Sequence, residues 1–284
     1  MANGLWFGTR AYMQYVPQPA FNADYSKAGW DAGSQFLNGG ASVRRSAGAH
    51  KVYNMAWNLA SRDTLRPITD YAEGVYGDGL IYFLDAMTMD KNVLPQGWAF
   101  PAQPGAPSLL SKAKPTIVDT EVNSQGYPSK SAVYTLSATS VSKSIYIPIP
   151  PGYTAWVGVH GTSVAAATDP NTGAPINAPS VLVTPNTGTG GPVALLPVDT
   201  PNRVNTTVAG SGFELSLTGA GTLTIAGIIV QVLPIGATPS GGGFISGQGH
   251  SGCAFASQPS QTAYSAALDK VGMTATLVEV GIWK

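Results

Sequence analysis

The sequence predicts a mainly β protein with one or two short helices, in which a β-sandwich of the jelly-roll type is inserted into a second β domain. Three observations predict this fold. Charged residues make up only 11% of the 284 residues, against about 25% in typical domains, and Gly, Pro, Ser, Thr and Asn fill the difference. Between residues 116 and 234, roughly eight or nine apolar runs alternate with turn signals, which is typical of a two-sheet sandwich. Period-2 alternation before the sandwich indicates further strands.

The first domain is predicted to be organised around residues 41–59, which read as two strands joined by a turn at 46–49. In the second strand, residues 53, 55, 57 and 59 are apolar, the pattern of a strand with one buried side. Two arginines lead into the turn, where their guanidinium groups can meet a carboxylate or carbonyl of a neighbour. We therefore predict an interface between copies of the chain, formed by Arg44, Arg45, Tyr53 and Trp57.

The segments around this hairpin complete the predicted first domain. Residues 4–16 read as one strand and residues 20–33 as a loop. A short helix is predicted over 66–77, because a proline suits its first turn and Gly77 suits its C′ position. Residues 80–87 are apolar enough for a central strand.

Two compositional changes predict the domain boundaries. Residues 95–115 are rich in proline and read as a stiff, extended linker, and a glycine-rich stretch begins near residue 236. After it, a strand, a short helix over 262–269 and a last strand over 273–283 match the first domain better than the sandwich. We therefore predict a hub domain formed by 1–100 and 240–284, with the sandwich at 101–239.

The segment 247–255 (GQGHSGCAF) is the stretch that most resembles a nucleophile site. The elbow pattern G-x-S-x-G fails because Cys253 occupies its last position, and adjacent Ser and His in a strand point to opposite faces. The three histidines of the chain lie far apart, without acidic neighbours at ligand spacing. Asp119 and Glu121 are better explained as exposed acids on an edge strand. We predict no catalytic, cofactor-binding or metal-ligating residue and no enzymatic activity.

Composition argues against a nucleic-acid-binding, disulfide-bonded, secreted or membrane-spanning protein. Net charge is zero, whereas a general nucleic-acid binder needs a basic stripe. A single cysteine excludes an intrachain disulfide. The N-terminal residues lack the apolar core of a signal peptide, and the longest apolar run, 223–233, is too short to span a bilayer. We therefore expect a protein made in the cytosol, without membrane insertion, that stays there or leaves by lysis.

Residues 153–160 (YTAWVGVH) are predicted to form a strand with an apolar face and a second face that carries Trp156, Gly158 and His160. A Trp beside a Gly on an outer sheet face is typical of a platform on which sugars stack, so Trp156 and His160 are candidate glycan contacts. The alternative is that Trp156 packs under a loop or against another subunit, because aromatic residues are enriched at interfaces.

Four segments resemble the minor tail proteins of long-tailed actinobacteriophages. They are RRSAGAHKVYNMAWN at 44–58, YIPIPPGYTAWVGVHG at 146–161, GQGHSGCAF at 247–255 and TAYSAALDKVGMTATLVEVGIW at 262–283. The arrangement of domains is also similar to the distal tail protein family, in which a tail-tube-like hub domain carries a β-sandwich of galectin-like or carbohydrate-module-like fold.

The resemblance implies a structural protein of the virion. Proteins of this kind form rings, commonly hexamers, that join the tail tube to the tip or baseplate. The implied partners are copies of the chain itself, the tail tube protein, the tape measure protein and the tip or baseplate proteins, while DNA only passes through the channel. The family brings no catalytic residues and no cofactor. It implies assembly in the host cytoplasm and residence in the phage tail.

Two other functions remain open at the level of sequence. A carbohydrate-binding module that recognises a host receptor is the first, and it is compatible with ring assembly because the sandwich and the hub are separate. A tail-associated cell-wall hydrolase is the second, and it lacks a positioned acid, base or metal site.

Overall fold

The computed structural model describes most of the chain with side chains and several strands by backbone alone. The residues described with side chains are 4–20, 51–77, 79–103, 106, 108–119, 130–168, 173, 175–186, 191–197, 211–239, 247–263 and 269–280. Those described by backbone alone are 24–28, 31–35, 41–45, 50, 206–208 and 264–265. Strands dominate, and the mainly β fold is confirmed.

The elements fall into three consecutive groups. The first group is β1 (Gly4–Gly8), β2 (Met13–Pro17), β3 (Asp24–Ala28), β4 (Asp31–Gln35), β5 (Ala41–Arg45), β6 (His50–Ser61), α1 (Arg62–Ala72), β7 (Tyr82–Asp85) and α2 (Gln96–Ala99). The second group is β8 (Thr116–Asp119), β9 (Lys130–Leu136), β10 (Ile145–Pro148), β11 (Tyr153–Ala165), β12 (Ala167–Thr168), β13 (Pro175–Ile176), β14 (Ser180–Pro185), β15 (Val193–Leu195), β16 (Thr206–Val208), β17 (Gly212–Thr218) and β18 (Gly221–Pro234). The third group is β19 (Cys253–Phe255), β20 (Ser260–Ser265) and β21 (Lys270–Glu279).

The second group folds as a jelly roll. One sheet has the strand order β16-β11-β18-β9-β8, and the other has the order β10-β17-β14-β15. Most connections along the chain cross from one sheet to the other, while β8–β9 and β14–β15 each stay within one sheet, as expected for two interlocked Greek keys. Alternate residues of β11, such as Ala155, Val157 and Val159, are buried between the sheets, as the period-2 pattern requires. The predicted jelly roll is therefore confirmed, with β8 added at one edge.

A second core joins the first and third groups of elements. Strand β21 pairs antiparallel with β6 along most of its length, and β19, β20 and β3 complete that sheet. Helix α1 covers it with Leu65, Ile68 and Tyr71, which recur at helical spacing. The strand residues of this core include Met55, Trp57, Val271, Met273, Ala275 and Leu277. The last segment of the chain thus shares a core with the first, while the domain limits themselves stay predictions.

The small sheet β2-β1-β7 is a wall between the two cores. Leu5 and Phe7 of β1 face the core of α1 and β6. Trp6 points the other way, toward the jelly roll, and its ring lies 5.4 Å from that of Tyr15 and 5.8 Å from that of Tyr153. Both faces of this sheet are therefore covered, which fixes the jelly roll to the rest of the chain.

The segment 89–94, which we call the strap, closes an open edge of the jelly roll. On β18, strand β9 reaches only residues 221–225, so the rest of that edge has no strand partner among the described residues. The strap bonds to it through Val93 N to Val230 O (2.9 Å), Val232 N to Met89 O (2.8 Å) and Asn92 Nδ2 to Ile228 O (2.9 Å). Because buried backbone groups must be hydrogen-bonded, the strap is an integral part of the sheet.

The predicted linker at 95–115 is wrong for its first part, which is packed rather than extended. Pro95 accepts hydrogen bonds from Trp98 N and Ala99 N, both at 2.9 Å, and starts the short helix α2. Trp98 and Leu109 are fully buried in the core of the jelly roll. Proline restricts φ but does not prevent burial, and the apolar side chains between the prolines decide the structure here.

The predicted hairpin at 41–59 has the right strands and the wrong pairing. Strand β5 pairs with β4, from Asp31↔Arg45 to Gln35↔Ala41, and β6 pairs with β3 and β21. Alternation indicates which face of a strand is buried but does not name its partner. The alternation itself stops before Leu59, which is 60% exposed and has φ of 54°. The predicted turn at 46–49 lies outside the described residues.

Several smaller predictions are also corrected. Residues 4–16 contain the hairpin β1–β2, closed by a hydrogen bond from Thr9 N to Tyr12 O of 2.9 Å, and the predicted loop at 20–33 contains β3 and β4. The predicted helix over 262–269 is replaced in part by strand β20, because pairing with β21 outweighs the weak cap signal of Thr262.

Helix α1 begins and ends earlier than predicted. It starts at Arg62 directly after β6, so Pro67 lies inside it rather than in its first turn. Gly74, with φ of 75°, takes the C′ position predicted for Gly77. The hydrogen bonds from Gly74 N to Tyr71 O (3.2 Å) and from Val75 N to Asp70 O (2.9 Å) form a Schellman motif. Neither described helix is long and apolar enough to cross a membrane.

Candidate functional site

The first group of converging polar side chains surrounds His250, between the strap and β19. Its Nε2 donates to Phe83 O at 3.1 Å, and its Nδ1 accepts from Gly252 N at 3.2 Å. Phe83 N also lies 3.3 Å from Nε2, and a hydrogen placed on Nε2 is the assignment that lets Nε2 donate to Phe83 O while Nδ1 accepts from Gly252 N. Burial and, to a smaller extent, nearby Lys51 lower the pKa of His250 to about 4, against the opposing effect of the hydrogen bond to Phe83. A neutral histidine is therefore built into this junction.

The neighbours of His250 do not form a nucleophile site. The Sγ atom of Cys253 lies 3.6 Å from His250 Nδ1, but burial and the nearby Glu279 raise the pKa of this thiol far above its usual range. Ser251 turns instead to Glu279, whose Oε1 accepts from Ser251 N at 3.0 Å and from Ser251 Oγ at 3.3 Å. Because the thiolate is the reactive form of cysteine, the arrangement anchors the last segment rather than activating a thiol.

Cys253 is expected to be inert toward thiol reagents while the protein is folded. The side chain is fully buried, whereas a reactive cysteine is exposed, and burial and Glu279 outweigh the effect of Lys51 and raise the pKa of the thiol. We expect no reaction with a chromogenic disulfide reagent in native buffer and stoichiometric reaction in denaturant. Rapid labelling of the native protein would contradict this burial and would make Cys253 a candidate nucleophile.

No cluster of metal-ligating side chains occurs in the part of the chain that the structure describes. His160 lies on β11 of the jelly roll, opposite Gly227, whereas His250 contacts Phe83 at the strap junction. The side chain of His50 is outside the described residues. Lys130 lies 3.4 Å from Asp119, which is highly exposed, and Glu121 lies outside the described part.

A second group of polar side chains lines a cleft between the β1–β2 turn and the jelly roll. The cleft has a volume of about 230 Å³. Its lining residues come from both parts of the fold and are Thr9, Arg10, Ala11, Tyr12, Met13, Ile149, Pro151 and Ser211. Sequence reasoning missed this site, because its two walls are contributed by segments more than 130 residues apart.

An ion pair and an aromatic ring hold Arg10 at the edge of the cleft. Its Nη1 lies 2.8 Å from Oε1 of Glu214, and both side chains are partly exposed. The guanidinium lies 4.5 Å from the ring centroid of Tyr146, an arrangement favourable to cation–π attraction. The Tyr146 hydroxyl in turn lies 3.2 Å from Arg10 O and 3.1 Å from Ser211 O. These contacts fix the two walls relative to each other.

Of the predicted interface residues, Arg44 and Arg45 lie on strand β5, whereas Trp57 lies in the core. Arg44 and Arg45 lie on β5, opposite Ala32 and Asp31 of β4, and their side chains are outside the described part. Trp57 is only 2% exposed, and its Nε1 donates to Pro17 O at 2.7 Å.

Tyr53 belongs to the same interior as Trp57. Its ring lies 4.8 Å from that of Phe83 and 5.8 Å from that of His250. Tyr53 and Trp57 therefore stabilise the core of the chain, and the structure corrects their assignment to a surface between subunits. The apolar alternation that suggested an interface is produced by the core itself.

The predicted glycan contacts share one face of β11, as expected. Trp156 lies opposite Gln231 and Thr207, and His160 lies opposite Gly227. This face is partly covered, because Gln231 is buried and its Nε2 donates to Asp90 O of the strap at 2.7 Å. Trp156 is half-buried, and its Nε1 is enclosed by protein. The surface offered to a sugar is therefore smaller than an open platform.

Strands β4 and β5 form a two-stranded ribbon that pairs with no other described strand. In the sequence the ribbon follows the antiparallel pair β3–β6, which runs from Asp24↔Asn54 to Ala28↔His50. The ribbon itself consists of five residue pairs, about 16 Å at the usual rise per residue. Among the described residues its two outer edges have no strand partner, and such edges present backbone groups that can pair with another strand.

Comparisons with family models, with curated proteins and with solved structures find no match to this chain.

Proposed function

We propose that this chain is a structural protein of a phage tail, which assembles into a ring at the distal end of the tail. The ring joins the tail tube to the tip or baseplate and surrounds the channel through which DNA passes. The observation that supports this proposal best is the ribbon β4–β5, which has no strand partner within the described chain.

The ribbon supports assembly because of its energetics. An isolated two-stranded ribbon is at best marginally stable in water, and free strand edges invite pairing with another chain. A neighbouring copy would stabilise the ribbon by covering it. In a closed ring every copy receives the same contact, so that no ribbon is left exposed. Arg44 and Arg45 remain candidate contacts at this interface.

The rest of the fold is compatible with a ring subunit. The wall sheet and the strap hold the jelly roll to the hub core through apolar packing and backbone hydrogen bonds. Such a subunit can transmit load along a tail without a hinge between its parts. The proposed partners are further copies of the chain, commonly six in a ring, together with the tail tube, tape measure and tip or baseplate proteins.

Removal of the ribbon tests this proposal. In the variant, residues 29–49 are replaced by Asn-Gly, which joins Ala28 to its strand partner His50 through a two-residue turn. We expect the wild-type chain at high concentration to form a closed ring with a hole of at least roughly 20 Å, judged from the grooves of B-DNA. We expect the variant to be a monomer with unchanged thermal unfolding, measured by light scattering and negative-stain microscopy.

The control is Val164→Ala, an exposed jelly-roll position that should leave the ring intact. A wild-type chain that remains a monomer at every concentration, or a ribbonless variant that still forms rings, would overturn the proposal.

A second candidate function is recognition of a host surface glycan by the jelly roll. The observation that favours it is the shared face of Trp156, Gly158 and His160 on β11. Under this hypothesis, Trp156→Ala yields normal particles that adsorb poorly to host cells. Failed assembly of the same variant would show that Trp156 has a packing role instead.

A further inference from the structure

We propose that the cleft between the β1–β2 turn and the jelly roll binds a single neutral sugar unit, through the Arg10–Glu214 pair and the ring of Tyr12. This inference depends on the geometry of the cleft alone. It does not depend on ring assembly, and it places the sugar at a different site from Trp156.

The charge of the cleft selects a neutral ligand. Arg10 and Glu214 neutralise each other at 2.8 Å, so neither a phosphate nor a cation finds an unbalanced opposite charge. Arg10 lines the cleft and Glu214 lies beside it, so hydrogen-bond donors and acceptors are next to each other at the edge of the cleft. One oxygen of Glu214 accepts from Arg10, while the guanidinium has five N–H groups and the carboxylate has a second oxygen. Two adjacent hydroxyl groups of a sugar, each both donor and acceptor, match such a pair.

The apolar wall of the cleft suits the C–H face of a sugar ring. The Tyr12 side chain is 51% exposed although it lines the cleft, and the Tyr76 ring supports it at 5.9 Å. Ile149 and Pro151 lie across from it on the jelly roll. An exposed, supported aromatic ring is a flat surface with a polar tip, which binds amphipathic rings better than linear polar molecules.

The walls of the cleft are held in place before any ligand arrives. The β1–β2 turn is closed by the hydrogen bond from Thr9 N to Tyr12 O, and Ile149 N donates to Ser211 O at 2.9 Å. The Tyr146 hydroxyl bridges the two sides. A preorganised site avoids the entropic cost of ordering loops on binding. Glycine is required at 212, next to the lining residue Ser211, because a Cβ there would clash with the Tyr146 hydroxyl.

The size of the cleft limits the ligand to one sugar unit. Its volume of about 230 Å³ is below the roughly 300–1,000 Å³ typical of sites for drug-sized molecules. The bound unit is therefore a monosaccharide or the terminal residue of a longer glycan.

Saturation-transfer NMR and calorimetry with a panel of neutral monosaccharides test the proposal. The probes are glucose, galactose, mannose and N-acetylglucosamine, with glucose 6-phosphate as the charged comparison. We expect at least one neutral sugar to bind and the phosphate to bring no gain in affinity. Tyr12→Ala should raise Kd at least tenfold, and Tyr12→Phe, which keeps the ring, should change it less than threefold. Glu214→Gln should raise Kd about fivefold, because charge-assisted hydrogen bonds are stronger than neutral ones.

Trp156→Ala is the control that separates the two sugar sites, and thermal unfolding of each variant reports whether it is folded. Full binding by Trp156→Ala supports the cleft. The proposal is overturned if no sugar of the panel binds, if binding is lost in Trp156→Ala but kept in Tyr12→Ala, or if the phosphorylated sugar binds much more tightly than the neutral ones.

Discussion

Replacing Trp98 with alanine is expected to lower the free energy of unfolding by about 3–5 kcal/mol, the usual cost of removing a large aromatic side chain from a core. Trp98 has no exposed surface and belongs to the core of the jelly roll. Helix α2 holds it there, directly after the strap has closed the edge of β18. The loss would appear as a lower denaturation midpoint with a largely unchanged slope, because the fold itself is retained.

The size of this effect distinguishes a packed segment from a linker. Val164→Ala is the matched control, since Val164 is 63% exposed on β11, and surface substitutions usually change stability by less than about 0.5 kcal/mol. If Trp98→Ala cost less than about 1 kcal/mol, the start of the 95–115 region would behave as the extended linker that its prolines suggest. The assignment of α2 to the jelly-roll core would then be wrong.

The jelly roll could be predicted from the sequence because its signals are local. Each strand carries its own alternation, and turns rich in glycine and proline separate one strand from the next. Strand β18, for example, was expected at 222–233 and is found at Gly221–Pro234. The same locality explains why the side chains of β11 face the core as expected.

The first part of the chain was harder to predict because its structure depends on distant partners. Strand β6 could be recognised, but its neighbours β3 and β21 lie about 30 and 220 positions away in the sequence. The strap has neither alternation nor helical spacing, since its conformation is set by the open edge of β18. The partners of β6 and the conformation of the strap are therefore set by tertiary contacts, which local sequence patterns do not reveal.

The functional residues, too, could be predicted only where local sequence signals determine their position. Trp57 has the pattern of a half-buried strand, and that pattern is identical for a residue in a core and a residue at an interface between subunits. Its burial against Pro17 could be recognised only in the fold. Arg10 and Glu214 are 204 positions apart, so no motif joins them, and nothing in either local sequence marks a cleft.

Acid is expected to destabilise the protein through His250. The pKa of His250 is about 4 in the folded protein and about 6.5 in an unfolded chain. Between these values the unfolded state binds a proton that the folded state does not, so stability falls as the pH is lowered from about 6.5 to about 4 and this contribution is constant below that. The expected loss from this group is about 3 kcal/mol, at 1.36 kcal/mol per pKa unit.

The structural reason is that a protonated His250 has no place for its second hydrogen. Nδ1 already accepts from Gly252 N, and protonation would turn this acceptor into a donor facing another donor, beside Lys51 in a buried site. His250→Gln retains a side-chain donor for Phe83 O, so we expect it to be less stable than wild type at pH 7 but to lose less between pH 6.5 and 4. His160→Asn should keep the full loss. Equal pH dependence of wild type and His250→Gln, measured by urea unfolding, would show that other groups cause the acid sensitivity and that His250 does not hold the last segment in its neutral form.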